Sequence, residues 1–256
     1  MTASRFVGSK ASGILLLAAL LVSWQIAALS TGSPNLPALS TIVLDFIAGI
    51  RSGELPEAFG SSLWIMFIGY GVGSIVAIMV GLLMATVRVV NALLEPMVEL
   101  LRPIPIPAIV PPLILLLGVD EALKIFVVAF SVFFPVLINT IAGVRAVDRI
   151  AIDVARTMRS GSLRTARFVI LPASLPYILA GMRISLPLAL IITVTAEMIA
   201  GSAGIGYYLL TMQYAMRPSE MYAAILLLAI VGYSLNRMFV IIESRMLHWY
   251  HANVAI

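Results

Sequence analysis

Six arginines, Arg145, Arg149, Arg156, Arg159, Arg164 and Arg167, stand in one polar interruption, Gly143 to Pro176, of an otherwise apolar chain. Guanidinium groups stay protonated near neutral pH, so they can grip carboxylates, carbonyls or phosphates but cannot act as nucleophile or general base. The chemistry on offer there is the binding of a partner. Acidic chemistry is scarcer. Glu197 closes an apolar run after Thr193, Val194 and Thr195, just before Gly201-Ser202-Ala203-Gly204-Ile205-Gly206. An acid inside a span faces an interior or a partner, whereas one at the end of a span meets water, so Glu197 reads equally as a pathway or gate residue and as a boundary residue. Ser131, Asn139, Ser185, Thr193 and Thr195 are the other polar candidates for lining a pathway. The alternative for each hydroxyl is a bond back to the preceding turn of its own helix.

Several chemistries are missing. A phosphate-binding loop needs a glycine-rich turn ending in lysine and Ser or Thr, and the only lysines, Lys10 and Lys124, lie in no such turn. The chain is therefore expected to hydrolyse no ATP, to bind no cofactor of its own and to be no enzyme. The absence of cysteine removes disulfides, thiolate metal sites and cysteine catalysis, and no metal site is expected. His248 and His251 flank Trp249 and Tyr250, a combination suited to anchoring at a membrane interface. A proton relay would call for several buried acids or histidines, and Glu197 alone supports one weakly. Glu99 and Arg102, three residues apart, are expected to pair on a helix.

The elements that position these groups are membrane helices. With 61% hydrophobic and 11% charged residues, and a mean hydropathy of +1.08, the chain lies outside the range of soluble domains. Runs long enough for a hydrocarbon core fall at roughly 12–30, 60–87, 94–117, 122–143, 176–198 and 219–244. Six spans put both termini on one side. Placing them in the cytoplasm leaves Arg5, Lys10, Arg88, Arg102, the six loop arginines, Arg183, Arg237 and Arg245 inside or near the inner boundary, against Arg51, Lys124 and Arg217 outside, as the positive-inside rule requires. The first run is expected to be a retained span rather than a cleaved signal, and residues 1–256 to form a single membrane domain. Leu39 to Ile50 is expected to lie on the outer surface as a short amphipathic helix. In the second span Gly69, Gly73, Ala77, Gly81 and Ala85 recur at every fourth position, which favours a packing seam within the chain over a subunit interface. Pro103, Pro105, Pro107, Pro111 and Pro112 crowd the third span, which must sit in the protein interior, as a pathway lining or a kinked helix start.

Within the arginine-rich segment, Asp148 or Asp153 can cap a helix that continues through Ala155, Arg156, Met158 and Arg159. Ser160-Gly161-Ser162 is expected to break it. A second helical piece from Leu163 to Leu171 follows, before Pro172 and Pro176 redirect the chain into the fifth span. The result is a helix, a turn and a helix projecting from the membrane, a shape suited to a partner's groove.

That segment resembles the EAA loop of binding-protein-dependent ABC importer permeases: Glu-Ala-Ala, a glycine four residues after the second alanine, and an Ile-x-Leu-Pro ending. Aligned on Pro172, this chain supplies Asp153-Val154-Ala155, Arg159 at the glycine position, and Val169-Ile170-Leu171-Pro172. Asp for Glu keeps the charge; Arg for Gly removes the residue best able to turn left-handed, at roughly 1 kcal/mol. The expectation is that Gly161 takes over the positive-φ turn. Leu101-Arg102-Pro103-Ile104-Pro105, Phe134-Pro135 through Gly143-Val144, and Ala196-Glu197-Met198 before Gly204-Ile205-Gly206 are similar to the branch handling taurine, aliphatic sulfonates, nitrate, bicarbonate and some vitamin precursors.

The resemblance implies an all-α, six-helix permease of the type I importer fold in the bacterial cytoplasmic (inner) membrane, with an EAA-type cytoplasmic loop at about 143–175. It implies a homodimer enclosing one path, two copies of a separate ATPase that binds ATP and Mg, and an extracytoplasmic substrate-binding protein. Asp153, Ala155, Arg156, Met158, Arg159, Ser160, Gly161 and Ser162 form the expected ATPase-docking segment. Arg164 and Arg167 are candidates for membrane lipid headgroups. No nucleic acid is implied. Two alternatives are an ion-gradient-driven secondary transporter and a non-transporting membrane scaffold.

Overall fold

The computed structural model describes residues 10–249, and side chains from residue 13. Arg5, Tyr250 and His251 lie outside the described residues. The helices, in order, are α1 (Lys10–Thr31), α2 (Leu39–Ser52), α3 (Glu54–Thr86), α4 (Arg88–Leu101), α5 (Ile106–Leu117), α6 (Glu121–Arg145), α7 (Arg149–Thr157), α8 (Ser162–Thr165), α9 (Leu171–Ala200), α10 (Ile205–Tyr214) and α11 (Pro218–Met246), with a π-helical turn at Ala166–Ile170. Among the described residues five stretches are long and apolar enough to cross a membrane: Gly13–Thr31, Glu54–Thr86, Glu121–Arg145, Ser162–Ala200 and Pro218–Met246. The pair α4 and α5 makes a sixth if it counts as one span.

That pair corrects the expectation of one helix over 94–117. Two helices diverge there by 102°. Ile104 precedes Pro105, a position from which the proline ring disfavours helical backbone, and Pro103 and Pro105 offer no N–H to carry the ladder. Pro111 and Pro112, by contrast, are accommodated inside α5.

The chain forms two compact units. In the unit made of residues 1–58 and 208–229, the Trp24 indole donates to the Pro37 carbonyl at 3.1 Å and meets the Tyr222 ring edge-on. Helix α2 forms as expected from its amphipathic pattern and buries only Ile42.

In the unit made of residues 59–207 and 230–256, α6 and α9 supply most of the buried side chains, including Val127, Val128, Val132, Val136, Leu137, Ala189 and Ile192. Their approach is close because Gly181 sits against Pro135, Val136 and Asn139, where an added Cβ would lie 2.8 Å from the Asn139 Cβ and 3.0 Å from the Pro135 carbonyl oxygen. The small-residue stripe of α3 is an internal seam: a Cβ at Gly69 would strike Val128, one at Gly73 the backbone of Ala129, and one at Gly81 Thr140. Small residues are what allow such contact where lipid supplies no hydrophobic drive. The Tyr70 hydroxyl adds a bond to the Met182 carbonyl at 2.9 Å.

The stretch before the fifth span also differs from expectation. Pro172 and Pro176 do not redirect the chain; one apolar helical run extends over Ser162–Ala200. The turn at Ala166–Ile170 widens to π geometry, with the Leu171 N–H bonding to the Ala166 carbonyl. An extra residue per turn at that point relieves the clash and lost donor that a proline otherwise imposes on the turn before it.

Candidate functional site

The arginine-rich segment builds a short, exposed helix held at both ends by local bonds. Asp148 caps α7, its side chain accepting from the Ile150 N–H at 2.9 Å. At the other end the Arg159 N–H bonds to the Arg156 carbonyl at 2.8 Å and the Ser160 N–H to the Ala155 carbonyl at 3.0 Å. Those two bonds make a Schellman motif, whose left-handed position falls at Arg159. Arg159 has φ +54°, whereas Gly161 is extended at φ −65°, ψ 157°. The expectation that Gly161 takes the turn is overturned. The hydrogen-bond pattern of the helix end fixes which residue must be left-handed, and a nearby glycine outside that register cannot substitute.

Of the expected docking residues, Ala155 is buried, Asp153 and Arg156 form an exposed ion pair at 3.3 Å, and Met158 is 78% exposed. Ser162 opens α8, and Ser160 and Gly161 form the link to it. The sequence reading passed over Ile150 and Val154, which are exposed together with Met158. Their spacing of four residues puts all three on one face of α7, a signal that was legible in the sequence. A groove of about 290 Å³ runs between this helix and the following helical stretch, lined by Val154, Ala155, Met158, Ser160, Arg164 and Phe168, among others. The Arg167 guanidinium lies over the Phe168 ring at 5.7 Å, so its side chain also has a partner within the protein.

The polar candidates of the spans divide into two groups. Ser131 and Asn139 line a cleft of about 390 Å³ with Arg102, Ile104, Phe134 and Leu188. Ser185 and Thr193 are fully buried. All five candidates bond within their own helices: Ser131 to Val128, Asn139 to Pro135, Ser185 to Met182, Thr193 to Ala189 and Thr195 to Ile191.

Glu197 is fully buried rather than facing water. Its Oε2 accepts from the Ser62 hydroxyl at 2.8 Å and from the Gly206 N–H at 2.9 Å. Ser62 in turn accepts from the Ile205 N–H at 2.8 Å. The carboxylate therefore caps α10 from nine residues upstream and ties it to α3 and α9. Oε1 is buried with no hydrogen-bond partner among the described residues, and Lys124 is likewise buried, 4% exposed. Gly204, at φ +101°, makes this possible, because a Cβ there would run into the Glu197 carboxylate. The expected Glu99–Arg102 pair is absent among the ion pairs of the described residues. Arg102 keeps helical backbone as the cap of α4, its N–H bonding to the Val98 carbonyl, so the pair is missing although the i,i+3 backbone geometry is present.

A bent, cleft-lining helix pair beside a long two-helix core, and a helix–turn–helix projection bearing an apolar face, define a membrane permease built to engage partners. Residues 73–248 match the family described as binding-protein-dependent transport system inner membrane component, and the chain belongs to it. Over 239 residues the chain is 36% identical to the putative aliphatic sulfonates transport permease protein SsuC of Bacillus subtilis, covering 93% of this chain and 87% of that protein. It is 28% identical to the taurine transport system permease protein TauC of Escherichia coli, with coverages of 90% and 86%. The nitrate import permease protein NrtB of Synechocystis is 30% identical, with coverages of 89% and 86%. Among solved structures, an inward-facing MetNI methionine ABC transporter superposes with a TM-score of 0.67 at 18% identity, covering 74% of this chain and 94% of that one. An amino acid ABC transporter solved with histidines gives 0.62 at 17% identity, with coverages of 78% and 95%. The fold is that of type I ABC importer permeases. The chain is an integral, multi-pass permease subunit of an ABC importer, a role in which the subunit is not itself catalytic.

Proposed function

We propose that residues 1–256 form one permease domain that pairs with a second copy in the bacterial cytoplasmic membrane, with both termini in the cytoplasm. Two separate ATPase subunits, carrying the ATP and Mg, dock on the two copies of α7, and an extracytoplasmic binding protein delivers the solute. The solute is a small anion such as a sulfonate, nitrate or bicarbonate, or a small vitamin precursor; the names of three relatives support the first two. Asp153 to Ser162 is the coupling segment, in which Ala155 supports the helix, Met158 enters the partner's groove, and Arg156 and Arg159 meet its carboxylates or carbonyls. ATP-driven closure of the ATPases draws the two α7 helices together and opens the spans outward; hydrolysis restores the inward-facing form. The chain acts by differential contact in two states.

The observation that carries this reading is the exposed row Ile150, Val154 and Met158 on α7, because a projecting helix with one uncovered apolar face gains by entering a groove. The test replaces Ile150 and Met158 together by serine in the assembled complex. At about 1.5–3 kcal/mol per buried apolar side chain, affinity for the ATPase should fall at least about a hundredfold, read by co-purification and by binding-protein-stimulated hydrolysis. Unchanged assembly would remove α7 from the docking surface.

A further inference from the structure

Arg102 occupies the break between α4 and α5, where the pair bends by 102°. It lines two clefts at once. The first is the one containing Ser131 and Asn139; the second, of about 270 Å³, contains Asn91, Glu95, Glu99 and Arg145. Arg102 and Ile138 are the residues the two clefts share. Along α6, Ile138 precedes Arg145 by seven residues, about 10 Å at the helical rise, so the shared level lies well inward of the helix end.

The two clefts differ in charge. Arg102 is the charged side chain of the first, whose Ser131 hydroxyl and Asn139 amide are turned back to the Val128 and Pro135 carbonyls. In the second, Arg145 donates to the Asn91 Oδ1 at 3.0 Å, and the Asn91 Nδ2 donates to Glu95 at 2.8 Å. That chain engages Arg145 and Glu95 and leaves Arg102 and Glu99 outside it. Among the described residues Arg102 has no ion pair. Arg102 is exposed, so its guanidinium is open to a partner, and its planar fork suits the paired oxygens of an oxyanion.

We propose that Arg102 is the anion-selecting residue of the translocation path: its guanidinium takes the oxyanion group of the solute in transit. This rests on the importer reading above, with the two clefts taken here as part of the path. The field changes sign character across Arg102, from purely positive in the first cleft to mixed in the second, where Glu95 and Glu99 oppose retention. An anion is thus gripped and then released rather than stored. A lipid phosphate offers the same oxyanion chemistry, so the experiment must separate the two sources.

The chain has no cysteine, so Arg102→Cys introduces a single addressable thiol. The assembled importer, with its ATPase and binding protein, is placed in proteoliposomes containing anionic lipid. Uptake is measured with labelled ethanesulfonate, nitrate or bicarbonate, whichever the wild type accumulates. A charge-assisted hydrogen bond contributes about 1.5–3 kcal/mol, so Arg102→Cys should reduce uptake at least about tenfold. Co-purification with the ATPase should be unchanged, because the docking loop is untouched. Aminoethyl methanethiosulfonate, which restores a positive charge, should recover most of the uptake; neutral methyl methanethiosulfonate should not. Arg102→Lys should retain most of it without reagent, which guards against a folding defect in the cysteine variant.

Wild-type uptake by Arg102→Cys, equal rescue by the neutral reagent, or loss in Arg102→Lys as deep as in Arg102→Cys would overturn the proposal. So would a wild-type complex that accumulates only uncharged or cationic solutes. A defect that disappears in vesicles of phosphatidylcholine alone would assign the guanidinium to an anionic headgroup and overturn it likewise. A wild type with no ATP-dependent uptake at all would overturn the importer reading first, and is separable because it involves no variant.

Discussion

Replacing Arg159 by glycine should tighten the end of α7. Arg159 sits at φ +54°, where an L-residue pays about 1–2 kcal/mol in contact between its Cβ and backbone. Glycine escapes that strain but loses about 0.5–1 kcal/mol more in backbone entropy on ordering. The difference leaves on the order of 0.5–1 kcal/mol in favour of Arg159→Gly, or about two- to fivefold in the population of the frayed end. The two amides that close the motif report it directly, since the Arg159 N–H bonds to the Arg156 carbonyl at 2.8 Å and the Ser160 N–H to the Ala155 carbonyl at 3.0 Å. Hydrogen–deuterium exchange at residues 159 and 160 should slow about two- to fivefold. Gly161→Ala is the control: φ is −65° and an added Cβ has nothing within 4 Å, so exchange there should hold steady or slow. Faster exchange in Arg159→Gly, or a marked loss of order in Gly161→Ala, would refute the assignment of the left-handed position. If Arg159 also grips the ATPase, the glycine variant will combine a stiffer α7 with weaker docking.

Two further substitutions probe the Glu197 cluster. Ser62→Ala removes one of the two bonds to Oε2 and leaves the Ile205 N–H without its acceptor, and an unsatisfied buried group costs about 1–3 kcal/mol; the unfolding midpoint of the purified protein should fall by several degrees, and no change would mean water reaches the site. Gly204→Ala should be worse, because it sets a Cβ into the Glu197 carboxylate at a backbone angle of φ +101°; recovery of folded protein should drop sharply, and normal yield and stability would show that the turn can rearrange.

Glu197 shows where sequence reasoning stops. The residue type, the preceding threonines and the following glycines marked the place, yet gate and water boundary remained equally open. Which of them applied depended on Ser62, more than a hundred residues away in the chain, and on the turn that folds Gly206 back over the carboxylate. The hydroxyl candidates are similar: the sequence left lining and back-bonding both open, all four bond to carbonyls in their own helices, and Ser131 also lines a cleft.

By itself the sequence determined the class of environment, the approximate spans, the helical arginine-rich loop and the family to which the chain belongs. Each of these rests on local pattern: apolar run length, arginine placement, the Asp148 cap and the spacing from Asp153 to Pro172. Tertiary structure decided the 102° bend between α4 and α5, the π turn that lets a single helical run pass through Pro172, the burial of Glu197 and the exposure of Arg102 to two clefts. Those features depend on which distant backbone or side chain lies opposite, and periodicity carries no information about that. Arg159 lies between the two cases. Its place in the motif was readable, but its left-handed backbone was set by the bonds that close the end of α7, which outweighed the preference of arginine itself.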